Sequence, residues 1–320
     1  MVGGFTRWSW RGGRVIGVES SAAIHGVVGM PFRWAFNPYR GCTHACRYCY
    51  ARVTHEYLGY NSGQDFERLI LAKVNAPQLL ERELSRPRWG REVVAVGTAT
   101  DPYQPVEGLL RLTRRCLDVF LRHRTPVSLV TKSTLVVRDA RLLAQLSAVT
   151  GQTRVWVTVT TLDPALARSV EPGAPAPAQR LRAVSWLRQA GVPVGVLVAP
   201  VLPGLTDDEE QLGALVQAAW QAGAQDVAFN TLRLCPGARE VYQQWLQRRY
   251  PNLVGLYRRL FGGGQYPPPE YRSWLHRTAV ALRASCRLGA ASSGQEDLED
   301  VGEGGARPGR LVQASLGLGG

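Results

Sequence analysis

Lysine is nearly missing from these 320 residues: 36 of the 38 basic side chains are arginine, leaving only Lys73 and Lys132. The net charge of +13 therefore reads as a coding bias as much as a binding surface, and a solvated basic face stands beside contact with a phosphate-bearing partner. No stretch approaches the roughly 18 apolar residues of a membrane span. Residues Met1–Arg14, with three arginines and four glycines, lack the apolar core of an export signal, so the chain is expected neither to be exported nor to cross a membrane. Cysteine is also scarce, six in all, and Cys116, Cys235 and Cys286 stand singly, without the even framework of a disulfide-stapled secreted domain. A reducing cytoplasm is the expected compartment. No G-x-G-x-x-G follows the first strand candidate, which removes a dinucleotide fingerprint, and there is no internal repeat.

What is present is a large apolar fraction, 45%, enough to bury one big α/β domain or two small ones. Apolar runs rich in β-branched residues alternate with helical patterns, which predicts repeated βα units around a parallel sheet. The strand candidates are Arg33–Phe36, Val93–Gly97, Val127–Thr131, Val155–Thr160, Val194–Ala199 and Val227–Thr231. Helical patterns cover Ala76–Ser85, Leu109–His123, Asp139–Ala148, Ala178–Ala190 and Asp207–Ala222. Acids after Thr206 start the last of these, and Gly191 and Gly223 stop two of them. Six parallel strands admit an open doubly wound sheet or a partial (β/α)6 TIM-type barrel, and the barrel is favoured. Residues 1–30 read as an N-terminal extension, 31–235 as the barrel, and 236–288 as a C-terminal helical cap. The acidic, glycine-rich tail 289–320, with no aromatic residue, is expected to be disordered.

The run Asn37-Pro-Tyr-Arg-Gly-Cys-Thr-His-Ala-Cys-Arg-Tyr-Cys-Tyr50 packs three thiols, Cys42, Cys46 and Cys49, at C-x3-C-x2-C spacing. A [4Fe–4S] cluster ordinarily takes four cysteines, so a set of three leaves one iron free for chemistry. The alternatives are a zinc knot completed by His44 or His55, or thiols that merely lie close together. Zinc commonly uses two separated ligand pairs, and no second C-x2-C exists here.

With Tyr48 just before the third cysteine and βα units downstream, this loop resembles the radical S-adenosylmethionine superfamily, and more narrowly its spore photoproduct lyase-related branch, over about Phe36 to Leu234. The resemblance implies a reduced cluster whose open iron chelates S-adenosylmethionine, which is cleaved to methionine and a 5′-deoxyadenosyl radical that abstracts hydrogen from substrate. It also implies a flavodoxin- or ferredoxin-type electron donor. Together with the charge, it points to a nucleic acid or nucleotide as substrate. The competing account is a non-enzymatic, zinc-bearing module that binds nucleic acid.

By the same resemblance, Thr100 and Asp101 match a Ser-Asp pair beside the cofactor, Lys132 matches a lysine at its carboxylate, and Tyr48 presents its main chain to the adenine amino group. Val198 and Pro200 fall where a strand packs against adenine. Glu107 reads as a ligand-binding carboxylate or a first-turn acid, and the others have plainer readings too: Asp101 as a helix cap, Lys132 on the surface, Val198 in a buried strand. Thr158 and Thr160 alternate to one face and line the interior or fill a polar core layer. The cysteine that returns hydrogen in spore photoproduct lyases falls at Thr98, whose O–H bond is too strong for that task. Cys235 is the weak candidate to replace it, against the reading of a small buried hydrophobe. Tyr50, Tyr57 and Tyr60 read as radical relays or as packing aromatics.

Overall fold

The computed structural model describes residues 7–10 and 13–285; Cys286 and the tail 289–320 lie outside them. Eleven strands occur there: β1 (Arg7–Trp10), β2 (Gly13–Val18), β3 (Ile24–Gly26), β4 (Trp34–Phe36), β5 (Tyr39–Arg40), β6 (Leu69–Lys73), β7 (Val94–Val96), β8 (Val127–Thr131), β9 (Arg154–Thr158), β10 (Val194–Val201) and β11 (Val227–Thr231). The main sheet runs β11-β10-β9-β8-β7-β4-β3. From β4 to β11 every pair is parallel and neighbours follow chain order. A doubly wound sheet reverses its order at a switch point; this one does not, so it is a partial (β/α)6 barrel, extended by antiparallel β3 at the β4 edge.

The register sorts the two faces of the barrel. Val94, Val127, Val155, Val194 and Val227 recur on one side with Val96, Leu129, Val157, Val196 and Phe229, and they form one core with the leucines and valines of the flanking helices. The alternate positions, Ala95, Ser128, Val130, Thr158, Leu197, Ala228 and Asn230, face the interior, where most are only half-buried. These half-buried positions line the interior of the barrel. Trp156 belongs to the same face, its ring so close to Gly195 that a Cβ there would sit 2.5 Å from the indole.

Three features escape the sequence patterns. The N-terminal extension contributes β1 and β2 to a second sheet, ordered β1-β2-β6-β5, so the first crossover carries two strands as well as short helices. The segment expected as one helix from Leu109 divides into Glu107–Leu110 and Leu112–Arg122 at Arg111, which has φ 49°. Beyond β11 the segment read only as helical divides into three helices, Ala238–Arg249, Val254–Phe261 and Pro269–Ser285. Among the described residues no helix is long and apolar enough to cross a membrane.

Candidate active site

The three-cysteine loop leaves the sheet beyond β4 and lies at the carboxyl end of the barrel. Its path is held from several sides. Gly41 takes φ +76° because a Cβ would stand 2.6 Å from the Leu69 carbonyl, and the Cys42 amide donates to Phe66 O at 2.9 Å. The Gly41 carbonyl accepts from Thr100 Oγ1 at 2.6 Å and from Gln104 Nε2 at 3.0 Å, while Gln104 Oε1 accepts from the Thr43 amide. Arg52 is fully buried: its guanidinium donates to Cys46 O, Ser62 O and Gly63 O, and pairs with Glu67 at 2.6 Å.

Cys42, Cys46 and Cys49 are all free thiols. Burial pushes each one up, Cys46 to about 12, with Lys132 pulling Cys46 the other way and Arg52 doing so for Cys49. Held up in this way, the three groups are neutral thiols near neutral pH. Among the described residues no three His, Cys, Asp or Glu side chains are placed to hold a single ion. His55 Nε2 pairs with Leu69 O at 3.0 Å and His44 Nδ1 lies 3.2 Å from Asp101 Oδ2, so both imidazoles face protein oxygens. The three thiols, with the buried Arg52 guanidinium beside them, are the residues of this loop that could hold a metal or a cluster.

The remaining sequence candidates gather around this loop with different roles. The Asp101 carboxylate accepts from Tyr103 N at 2.8 Å, Thr131 Oγ1 at 2.7 Å and Lys132 N at 2.7 Å. Although burial opposes ionisation, His44 and these donors hold Asp101 below the usual carboxylate range. Asp101 thus ties the ends of β7 and β8 to the loop, and Thr100 spends its hydroxyl on Gly41. Lys132 Nζ lies 3.8 Å from Glu171 Oε1 and 5.6 Å from the centre of the Tyr48 ring. Thr158 shares the interior face with Leu197; Thr160 donates to Glu171 at 2.8 Å. The Val198 side chain is wholly buried in the core facing the helices, since alternation turns Leu197 and Ala199 inward and leaves only the Val198 main chain toward the interior. Pro200 is half-buried at the strand's end. Cys235 donates its S–H to Tyr50 O at 3.3 Å, and the Tyr50 hydroxyl donates to Thr98 O. Glu107 is turned away from the cavity, its carboxylate accepting from Tyr39 at 2.5 Å and Arg138 at 2.7 Å.

Arg52, Glu171 and Arg180 were not legible as site residues. In a chain with 36 arginines a buried one carries no distinguishing mark, and Glu171 follows β9 by more than ten residues, beyond the strand ends where site groups are sought.

The site is thus three free thiols on one loop at the carboxyl end of a partial barrel of parallel strands. A Radical SAM superfamily model matches residues 36–216, over half of the chain, and the protein belongs to that superfamily. An uncharacterised protein of Mycobacterium tuberculosis is 43% identical over 265 residues, covering 83% of this chain and 78% of its own. A radical SAM Nalpha-GlyT isomerase of Pseudomonas phage M6 is 26% identical over 184 residues, 54% of this chain and 34% of that protein. Spore photoproduct lyase, solved with bound AdoMet and dinucleoside spore photoproduct, matches with a TM-score of 0.61 at 19% identity, over 85% of this chain and 78% of its own. That likeness is one of fold.

Proposed function

We propose that residues 31–235 form the catalytic barrel of a radical S-adenosylmethionine enzyme and residues 236–288 its cap, with Cys42, Cys46 and Cys49 as ligands of a [4Fe–4S] cluster. The observation that carries this is the set of three buried, unpaired thiols on a loop anchored at the carboxyl end of the barrel. When bound, the cluster and S-adenosylmethionine supply a 5′-deoxyadenosyl radical that takes a hydrogen atom from the substrate.

The chain's own residues bind, orient and shield. Lys132 offers an ammonium to the cofactor carboxylate, Asp101 and Thr100 act by fixing the loop, and Tyr48 presents its backbone to the adenine. Thr158, the Val198 main chain and Pro200 form the wall beside it. Trp156 and the valine core close the barrel interior and exclude water. Thr98, whose Oγ1 accepts from Asn37 Nδ2 at 3.2 Å, has no thiol to return hydrogen; Cys235, linked to Thr98 O through Tyr50, is the candidate to take that role. A nucleic acid or nucleotide substrate is supported by the basic surface and by the dinucleoside named with the spore photoproduct lyase structure. A flavodoxin- or ferredoxin-type protein in a reducing cytoplasm supplies the electron.

The test is oxygen-free reconstitution with iron and sulfide, reduction with S-adenosylmethionine present, and chromatography for 5′-deoxyadenosine. The expected outcome is about four irons per chain and 5′-deoxyadenosine formation, both lost in Cys46→Ala with the barrel still folded. Cofactor cleavage that survives in this variant, or a protein that takes zinc and refuses iron, defeats the proposal.

A further inference from the structure

The segment Val170-Glu-Pro-Gly173 clasps the cysteine loop from the side opposite Thr100. The Arg47 amide donates to Val170 O at 2.9 Å, and the Gly173 amide donates to His44 O at 3.0 Å. The approach is so close that a Cβ on Gly173 would lie 2.0 Å from Thr43 O. Between these two anchors stands Glu171, fully buried. Its carboxylate accepts from the Tyr48 hydroxyl and from Thr160 Oγ1 at 2.8 Å, pairs with Arg180 at 2.5 Å, and faces Lys132 at 3.8 Å. Arg180 is itself buried and held by Pro175 O at 2.7 Å and Thr158 O at 3.2 Å.

These contacts have unequal meanings. The Arg180 contact is a short, wholly buried ion pair, the kind of partner a buried charge requires. The Lys132 contact is longer than a hydrogen bond, so the ammonium keeps its three N–H donors while lying between a carboxylate and the Tyr48 ring. Lysine side chains lose much rotamer freedom when ordered, and an ammonium already steered toward one point meets an anion at lower cost.

We infer that Glu171 is a positioning residue that aims Lys132 at the cofactor carboxylate and, through Tyr48 and the two flanking amides, keys that aim to the cysteine loop. The inference rests on the proposed function above. Burial opposes ionisation of Glu171, but Arg180, then Lys132, then the Tyr48 and Thr160 hydroxyls hold it down at about 2, so it is an anion throughout the working range.

The test is a double-mutant cycle on reconstituted holoenzyme: wild type, Lys132→Met, Glu171→Gln and the double variant, with S-adenosylmethionine affinity read by anaerobic equilibrium dialysis and iron read separately. Each single variant is expected to keep its iron and to bind the cofactor about tenfold more weakly, with the double variant no weaker than Lys132→Met alone. At saturating cofactor, the paramagnetic resonance spectrum of the reduced cluster should match the wild type in Glu171→Gln, because only the aim is lost. Effects that multiply, or a Glu171→Gln protein with unchanged affinity, overturn the inference. Should Glu171→Gln fail to fold because Arg180 is left unpaired, the same cycle in an Arg180→Met background removes both buried charges and carries the same expectations. A wild-type holoenzyme that binds no S-adenosylmethionine defeats the proposed function instead, so the two failures are distinct.

Discussion

The two lysines illustrate how differently one residue type is used. Lys132 lies between Glu171 and the Tyr48 ring, whereas Lys73 is 3% exposed on the second sheet, two residues along β6 from Leu71, the partner of Arg40. Burial first, then the Arg40 charge, pulls the Lys73 ammonium down to about 7, against the opposing influence of Glu83 and Cys116. An unfolded lysine titrates near 10.4. Between about pH 7 and 10 the unfolded chain holds a proton that the folded chain has released, so stability rises with pH across that window. Below about pH 7 both states carry the proton and this residue adds no slope. Lys73→Met, which keeps the stem and removes the charge, should be more stable near neutrality, and its advantage should shrink as pH rises to 9.5. Denaturant midpoints for both proteins at pH 6.5 and 9.5 check this; an advantage independent of pH refutes it. The sequence marks both lysines as rare but does not separate them, because the burial of one and the partners of the other are set by segments far apart in the chain.

Among the elements, the strands of the barrel were the most legible. All six candidates correspond to β4 and β7 to β11, since strands covered by helices read as continuous valine-rich runs. The glycine stops were legible as well, Gly191 and Gly223 having φ +80° and +89°, values that favour a residue without a Cβ. Short β5 and β6 were not: two residues in one and Leu-Ile-Leu-Ala-Lys in the other carry no pattern that separates them from helix. Packing between elements yields a prediction inside the barrel. Gly195 faces Trp156 in the β9–β10 register, and its missing Cβ is the space that the indole occupies. Gly195→Ala should lower stability by about 1–3 kcal/mol through overpacking, read as a fall in the thermal midpoint. A paired Gly195→Ala, Trp156→Phe variant should recover part of the loss, and failure to recover any would show that the strand, not the ring, rejects the methyl group.

For the molecule as a whole, the cap and the cysteine loop form one structural unit. Cys46 and Tyr48 share a buried cluster with Tyr242, Trp245, Leu246, Tyr257 and Phe261 of the cap helices and with Leu232 and Leu234 beyond β11. If the loop holds the proposed cluster, that cluster would bind the folded chain far better than the unfolded one and so stabilise everything packed against it. Iron loading should raise the thermal midpoint and slow amide exchange in Ala238–Phe261 more than in the helix Ala140–Thr150, which packs against Leu112–Arg122; equal protection in both would show that these helices and the loop are uncoupled. What the sequence determined was the local chemistry: the spacing of three thiols, the alternation of strands and helices, and the turn residues between them, all of which act over a few residues. The tertiary structure alone decided which distant groups surround those thiols. Arg52, Glu171 and Arg180 gain their meaning only when folding removes them from water, since a buried charge must then find its partner in three dimensions.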